Sequence, residues 1–327
     1  MANEVEKFNA IAIADIEKIN TFDDDDIEKL NGFEFSGIVI SKGIFAFGNK
    51  HYNTVINESN LISITGVVST DVTGVGTARA RPAGPEYGTG TAIMAFGNDG
   101  GFTAVSNLIN TSGVVASDTS GVGTARQNTI GVNYGTDKGV IAYGYYSGGN
   151  ASMSNLINNS GVVSSDVTGV GTARGNGAGM EYGGDKGIMG FGYLGNWSNL
   201  VSNSGVIGSD VTGVGTSRSS LGGCAYGTDK GIFGFGSVSG TSTGVSNLVN
   251  NSGVVASDTS VVDTARQGVG ATEYGADLGI FCYGLSTGSS SSQVNHRSLV
   301  NNSGVIASNA SGAGQARWGA CGAAYGT

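Results

Sequence analysis

From residue 42 onward the apolar positions come in short runs, and the runs recur. In KGIFGFG, Lys230 to Gly236, Ile232, Gly234 and Gly236 alternate with Phe233 and Phe235. Aromatic and small residues on alternate faces predict a strand packed between two neighbouring sheets. Before it, GGCAYG up to Gly227 reads as a strand running through Ala-x-Tyr-Gly. After it, SNLVN and GVVAS are two further runs split by Asn-Ser-Gly, a hairpin signal. Each unit therefore predicts four strands, followed by a connection such as Asp118 to Arg126, DTSGVGTAR.

The unit is written six times. Its closing arginine stands at 79, 126, 174, 218, 266 and 317, and the tyrosine of the next Tyr-Gly at 87, 134, 182, 226, 274 and 325, with the same steps of 47, 48, 44, 48 and 51. Length varies almost only between the Gly of Phe/Tyr-Gly and the next Asn/Ser-Leu, from Tyr193–Trp197 in one unit to Leu285–His296 in another. Insertions confined to one loop mark the rest as packed scaffold. Four short strands in about 47 residues match a β-propeller blade. The region opens on a second-type strand, Lys42 to Gly48, and finishes on a first-type strand, Ala323 to Gly326. The last strand is thus expected to complete the blade that the first strands begin, leaving no open edge. The rival is a β-solenoid with two coils per repeat, which has no need of such matched ends. The expected fold is all-β: a six-bladed propeller over residues 37–327, preceded by a leader over residues 1–36.

Composition agrees. Glycine accounts for 59 of 327 residues, as many tight turns require, and the absence of a G-x-y triplet excludes collagen. The charge is uneven: residues 1–36 hold ten acidic and three basic side chains, a net of −7, leaving −2 of the total −9 for the body. No basic stripe is present to neutralise phosphates, so nucleic acid is not an expected partner. Three cysteines with no C-x-x-C spacing argue against a disulfide framework or a zinc site, and Cys282 takes the slot of Ala46, Ala95, Ala142, Gly190 and Gly234. MANEVEKFNA has neither the n-region nor the h-region of a signal peptide, and no apolar run approaches a membrane span.

TARQGVGATEYGADLGIFCYG, Thr264 to Gly284, and the SNLVNNSGVV segment resemble the kelch pattern over residues 42–327. The motif is degenerate: the double glycine is single, as in Phe191-Gly192-Tyr193, and the late tryptophan is missing. The resemblance implies a galactose-oxidase-type propeller. It implies no activity, because the copper ligands of galactose oxidase have no counterpart in a chain with two histidines, His51 and His296. The near-identical repeats, together with a DIEKIN-type leader, also resemble kelch-like virion proteins of tailed bacteriophages of marine bacteria.

In the leader, Asp15-Ile16-Glu17-Lys18-Ile19-Asn20 returns as Asp26-Ile27-Glu28-Lys29-Leu30-Asn31-Gly32. Each copy reads as a short helix, with Asp at the N-cap and Asn or Asn-Gly at the stop. Ile13, Ile16, Ile19, Ile27 and Leu30 then need a surface, either the body's flank or another protein, and are the candidate anchor. The Asp23–Asp26 run lacks the spacing of a calcium loop and reads as a solvated turn.

Repetition also governs the chemistry. Asp71, Asp118, Asp166, Asp210, Asp258 and Asn309 read as Asx-turns, since Asn replaces Asp there. Arg79, Arg126, Arg174, Arg218, Arg266 and Arg317 read as structural ties between neighbouring blades through carbonyls and carboxylates. Asp137, Asp185, Asp229 and Asp277 read as turn residues. Gly-Val-Gly-Thr lacks the Gly-Lys-Ser/Thr of a phosphate loop, and there is no G-x-S-x-G. Catalytic residues, metal and cofactor are therefore not expected, nor is enzyme activity. The variable loops carry His51, Tyr52, Phe102, Tyr145, Tyr146, Tyr193, Trp197 and His296. Of these, Tyr52, Phe102, Tyr146, Tyr193 and Trp197 are the candidate ligand-binding rings, suited to stacking on host-surface glycans. The expected protein is a non-enzymatic virion component, made without a signal peptide and joined to other virion proteins through its leader. The alternative is a free lectin-like propeller or a subunit of an extracellular filament.

Overall fold

The computed structural model describes residues 41–193, 195–261 and 263–326, apart from the side chain of Tyr52, and the leader strands named below. The chain forms two compact units, Met1–Ile40 and Ser41–Thr327.

The leader's described residues are strands, not the predicted helices. Lys7–Phe8 pairs with Ile11–Ala12, Lys18–Ile19 with Phe22–Asp23, and Lys29–Leu30 with Phe33–Glu34, all antiparallel. The three hairpins repeat at eleven residues, one more copy than the duplication read from sequence. A six-residue helix does not offset its nucleation cost, and the described apolar positions pair as strands instead. Of the anchor candidates, Ile19 and Leu30 lie on strands; Ile13, Ile16 and Ile27 fall outside the described residues.

Among the described residues of the second unit, six antiparallel sheets carry the repeats. Sheet 1 joins Cys321–Tyr325, Lys42–Lys50 and Thr54–Ile62, so the C-terminal strand pairs with the first strand of the repeat region. Sheet 2 is Glu86–Tyr87, Thr91–Asn98 and Phe102–Ile109. Sheet 3 is Ile130–Tyr134, Lys138–Ala142 and Ser154–Ile157. Sheet 4 is Ala178–Tyr182, Lys186–Gly190 and Ser198–Val201. Sheet 5 is Gly222–Tyr226, Lys230–Gly234 and Val245–Val249, with Thr259–Ser260 at its edge. Sheet 6 is Gly270–Tyr274, Leu278–Cys282 and His296–Val300, with Ala310–Ser311 at its edge. In all six sheets the predicted fourth strand, GVVAS and its counterparts, is reduced to an isolated bridge such as Ile157↔Val163 or Val249↔Val255, and the edge strands of sheets 5 and 6 lie beyond it.

The second strand is apolar on both faces because successive residues enter different cores. Ile188 packs with Phe233 of sheet 5, while Met189 packs with Val140 and Tyr143 of sheet 3. Six such clusters lie between successive sheets, and one of them joins Phe45 of sheet 1 to Ile280 and Tyr283 of sheet 6. Side-chain volume is complementary across each boundary. Gly190 and Gly234 face the rings of Phe233 and Phe281, where an added Cβ would lie 2.7 and 2.8 Å from the ring tip. Ala46, Ala95 and Ala142 occupy the same slot in the sheets followed by Met94, Ile141 and Met189. The Asn-Ser-Gly turn serves the same packing: Gly253 of sheet 5 lies against the rim of Tyr182 of sheet 4, where a Cβ would come within 3.0 Å.

Two belts of backbone hydrogen bonds tie the first strands together, one near each end. At the first end, Asn128 N–H donates to Arg81 O, Asn176 to Asn128, Ser220 to Asn176, Gly268 to Ser220, Gly319 to Gly268 and Arg81 to Gly319, at 2.7–3.2 Å. At the other end, Gly88 donates to Asp137 O, Gly135 to Asp185, Gly183 to Asp229, Gly227 to Asp277, Gly275 to Ser41 and Gly326 to Gly90, at 2.7–2.9 Å. Each belt is a closed cycle. The residues of the first belt sit at left-handed φ, 55–60° for Arg81, Asn128, Asn176 and Ser220. Asn tolerates that conformation and Arg does not favour it; the belt bonds of Arg81 hold it there.

Candidate functional site

The repeated arginines sit at the sheet boundaries. Arg126 lies over the Phe96 ring of sheet 2 at 4.1 Å. It donates from Nε to Tyr143 O at 2.9 Å and from Nη2 to Asn155 Oδ1 at 2.5 Å, both in sheet 3. Its own carbonyl accepts Gly97 N–H. Arg79, Arg174, Arg218, Arg266 and Arg317 lie over Phe47, Tyr143, Phe191, Phe235 and Tyr283 in the same way, at 3.9–4.4 Å. Burial lowers the pKa of Arg79, Arg126 and Arg218 to about 10, opposed by Asp118, Asp166 and Asp258, so these guanidiniums remain charged at neutral pH. The six aromatic residues they cover stand at φ of 59–66°, and each is followed by a glycine at 112–122°. For Phe96, Tyr143, Phe191 and Phe235, the carbonyl after this strained turn accepts an arginine Nε. The aromatic stacking was not read from sequence, although Phe/Tyr-Gly and Arg recur with one period.

The aspartates do not form the local turns that sequence suggests. Asp166 accepts from the Thr124 N–H and from Thr124 Oγ1 at 2.7 Å, across to the preceding repeat, and from Asn155 Nδ2 at 3.0 Å. Asp118, Asp210 and Asp258 repeat this with Thr77, Thr172 and Thr216, and Asp71 accepts Gln315 N–H. Burial acts to raise the Asp166 carboxyl, but the hydrogen bonds from Thr124 and Asn155 hold it below the usual range. At five of the six boundaries a glycine two residues before the alanine-arginine or serine-arginine step makes room: a Cβ on Gly123 would lie 2.5 Å from both Asp166 Oδ1 and Asn155 Nδ2.

The boundary between sheets 5 and 6 solves the same problem differently. Asp263 replaces the glycine, Ser298 the asparagine and Asn309 the aspartate. The carboxylate has crossed the boundary. Asp263 pairs with Arg266 at 3.2 Å, both side chains fully buried, and accepts the Ser298 hydroxyl. Asn309 bonds to Thr264 Oγ1 and His296 Nδ1. His296 opens the third strand of sheet 6 rather than ending a loop.

The first strands bound a cavity of about 180 Å³ between the belts. Their residues alternate between buried side chains and side chains on the cavity wall. One wall level is glycine in five sheets, which lets neighbouring backbones approach: a Cβ on Gly179 would lie 2.5 Å from Gly131 O. The next level reads Glu86, Asn133, Glu181, Ala225, Glu273 and Ala324, with a carboxyl on every second sheet. Asn133 Oδ1 accepts Glu86 N–H at 2.7 Å, and Glu86 Oε1 accepts Ala324 N–H at 3.3 Å. Burial and then the Glu273 and Glu181 charges push the Glu86 carboxyl well above its ordinary range. Burial raises Glu181, and burial followed by the Glu181 charge takes Glu273 to about 7. Sequence reading passed over these three. Their signal is a carboxylate just before Tyr in alternate repeats, at a position filled elsewhere by Ala or Asn.

The variable loops rise at the end of the first belt, as the Gln127↔Tyr145 and Ser219↔Ser237 bridges show. Phe102 packs on Tyr145 at 5.7 Å. Tyr146 covers Gly148, and the Trp197 ring lies over Gly195, each close enough to exclude a Cβ. Tyr193 is 58% exposed and Tyr145 44%. His51 starts the short turn His51–Asn53, on which Tyr52 follows. Nearer the cavity, Arg81 lies over Trp318 at 4.5 Å and donates to Gln127 Oε1. Cys224, Cys282 and Cys321 are free thiols pushed up by burial, Cys282 and Cys321 to about 12, and so are poor nucleophiles. No protein-family model and no curated protein sequence matches the chain.

Proposed function

We propose that residues 41–327 form a six-bladed, kelch-like β-propeller, and that the protein is a non-enzymatic structural component of a phage virion. The cyclic order of sheet boundaries and the two closed belts support the propeller. The observation that carries the display role is polarity. Ser41, where the second unit begins, sits in the belt at one end, while the variable loops rise at the opposite end. The chain thus enters the second unit at the end away from the face whose length and chemistry differ from repeat to repeat. The leader's Ile/Leu-Asn copies direct the reading to a virion, and the exposed Tyr193 and Tyr145 suit a host-glycan contact on the displayed face.

Deleting residues 1–36 tests the anchor. The truncated chain is expected to fold but to be missing from purified particles; unchanged incorporation refutes the reading. The lectin alternative requires glycan-array binding that is lost in Tyr193→Ala and kept without the leader.

A further inference from the structure

We infer that the displayed face carries a glycan site on sheets 3 and 4, built on Tyr145 and Tyr193, and that the site takes an uncharged oligosaccharide. This rests on the glycan contact proposed above and names the class of ligand it would hold. The two tyrosines are equivalent: each follows the glycine after a strained aromatic residue, Gly144 at φ 113° and Gly192 at 115°, in successive sheets. Among the described residues they are the only exposed aromatic side chains. The backbone under each is fixed. Tyr145 exchanges two bonds with Gln127, and Tyr193 N–H donates to Gly175 O at 2.8 Å. Gly175 also sets how close the pair comes, because an added Cβ there would lie 3.2 Å from the Gly144 carbonyl carbon, which is bonded to Tyr145 N. The residue at this place after the arginine is Ala80, Gln127, Ser219, Gln267 or Trp318 in the other repeats. Only between sheets 3 and 4 does it lack a side chain, so bare main chain separates the two tyrosine backbones. Phe102 of sheet 2 supports the Tyr145 ring from the other side at 5.7 Å.

Charge decides the class of ligand. The segments from Tyr143 to Met153 and from Phe191 to Ser198 hold no Asp, Glu, Lys, Arg or His, and neither does Gly236 to Val245 of sheet 5. The loops of sheets 1, 2 and 6 do, with Lys50 and His51, Asp99, and His296 followed by Arg297. Carboxylates are recognised by guanidinium or ammonium donors, so an acidic sugar over sheets 3 and 4 would find no cation on those loops. A neutral pyranose asks for what the loops supply. Its C–H face stacks on an aromatic ring, and its hydroxyls meet short polar side chains such as Ser147, Asn150 and Asn196 of the same two loops. A strand-like peptide would instead need free backbone donors and acceptors, and those of Tyr145 are engaged with Gln127.

The test is an array of neutral oligosaccharides and their sialylated and uronic-acid counterparts, probed with the full chain and followed by titration of the tightest binder. Neutral glycans are expected to bind, with an affinity that added salt leaves unchanged because no ion pair contributes. Tyr145→Ala and Tyr193→Ala should each weaken binding about 10-fold at an unaltered melting temperature. Tyr145→Phe and Tyr193→Phe keep the ring face and should stay within about threefold of the parent. Binding of acidic glycans alone, an affinity that falls steeply with salt, or indifference to both alanine variants overturns this inference while leaving a glycan contact on the face. A blank glycan array, or capture by a peptide array in its place, overturns the glycan contact as well; the display role is then judged separately by the leader deletion.

Discussion

Replacing Asp263 by glycine gives the sheet 5–6 boundary the residue found at the other five, and it should nevertheless destabilise the protein. Arg266 would keep its stack on Phe235 and its bond to His296 O, but the buried carboxylate 3.2 Å away would be gone. Removing one partner of a fully buried ion pair costs about 3–5 kcal/mol, because the other charge stays buried without compensation. The retained contacts place Asp263→Gly near the lower figure, about 3 kcal/mol. For a domain of this size that is a drop in melting temperature of about 5 °C. Calorimetry of the full chain measures it. The decisive variant is Asp263→Gly/Ser298→Asn/Asn309→Asp, which rebuilds the Gly-Asn-Asp arrangement of Gly123, Asn155 and Asp166. It should return to within about 1 kcal/mol of the parent, far from the sum of its parts, because the three positions form one network. The converse change, Gly123→Asp, should be worse than Asp263→Gly, since its Cβ meets Asp166 and Asn155 at 2.5 Å. Asn155→Ser/Asp166→Asn should rescue it. An Asp263→Gly cost under about 0.5 kcal/mol, or additive losses in the triple variant, would refute the idea of a transposed carboxylate.

Two further outcomes follow from the same geometry. Because the folded protein raises the pKa of Glu86, Glu181 and Glu273, it binds more protons than the unfolded chain; stability from these groups is complete below about 4.5 and declines as pH rises, through about 7 for Glu273. The melting temperature should fall between pH 5 and 8 in calorimetric scans, and E86Q/E181Q/E273Q should flatten the slope. Gly234→Ala should cost about 1–3 kcal/mol in thermal unfolding by overpacking the Phe281 ring, with Phe281→Leu relieving most of it.

The sequence disclosed most of the body because every element is written several times. Strand positions, the fixed eight-residue step from Arg to Tyr, and the pairing of Ala323–Tyr325 with the strand from Lys42 all follow from repetition and alternation. What repetition conceals is what differs between copies. Glu86, Glu181 and Glu273 share a period of two repeats, which is invisible when single units are aligned to one pattern. Asp263, Ser298 and Asn309 look like three unrelated substitutions until folding puts the Ser298 hydroxyl on the Asp263 carboxylate and Asn309 on the adjoining Thr264. The leader failed for another reason. Strands of two residues are too short to show a period, so the capping signals around them point to helices that the described residues do not form. The aspartates were misread because an Asx-turn and a bond to a neighbouring repeat make the same demand on a short polar side chain.

The belts have a practical corollary. Tyr193–Trp197 and Leu285–His296 differ more than twofold in length, yet Asn176 and Gly268 beside them keep the same two backbone bonds. Peptide grafted between Leu285 and His296 would be carried by a frame whose seams it never touches, so foreign epitopes inserted there should leave the melting temperature nearly unchanged.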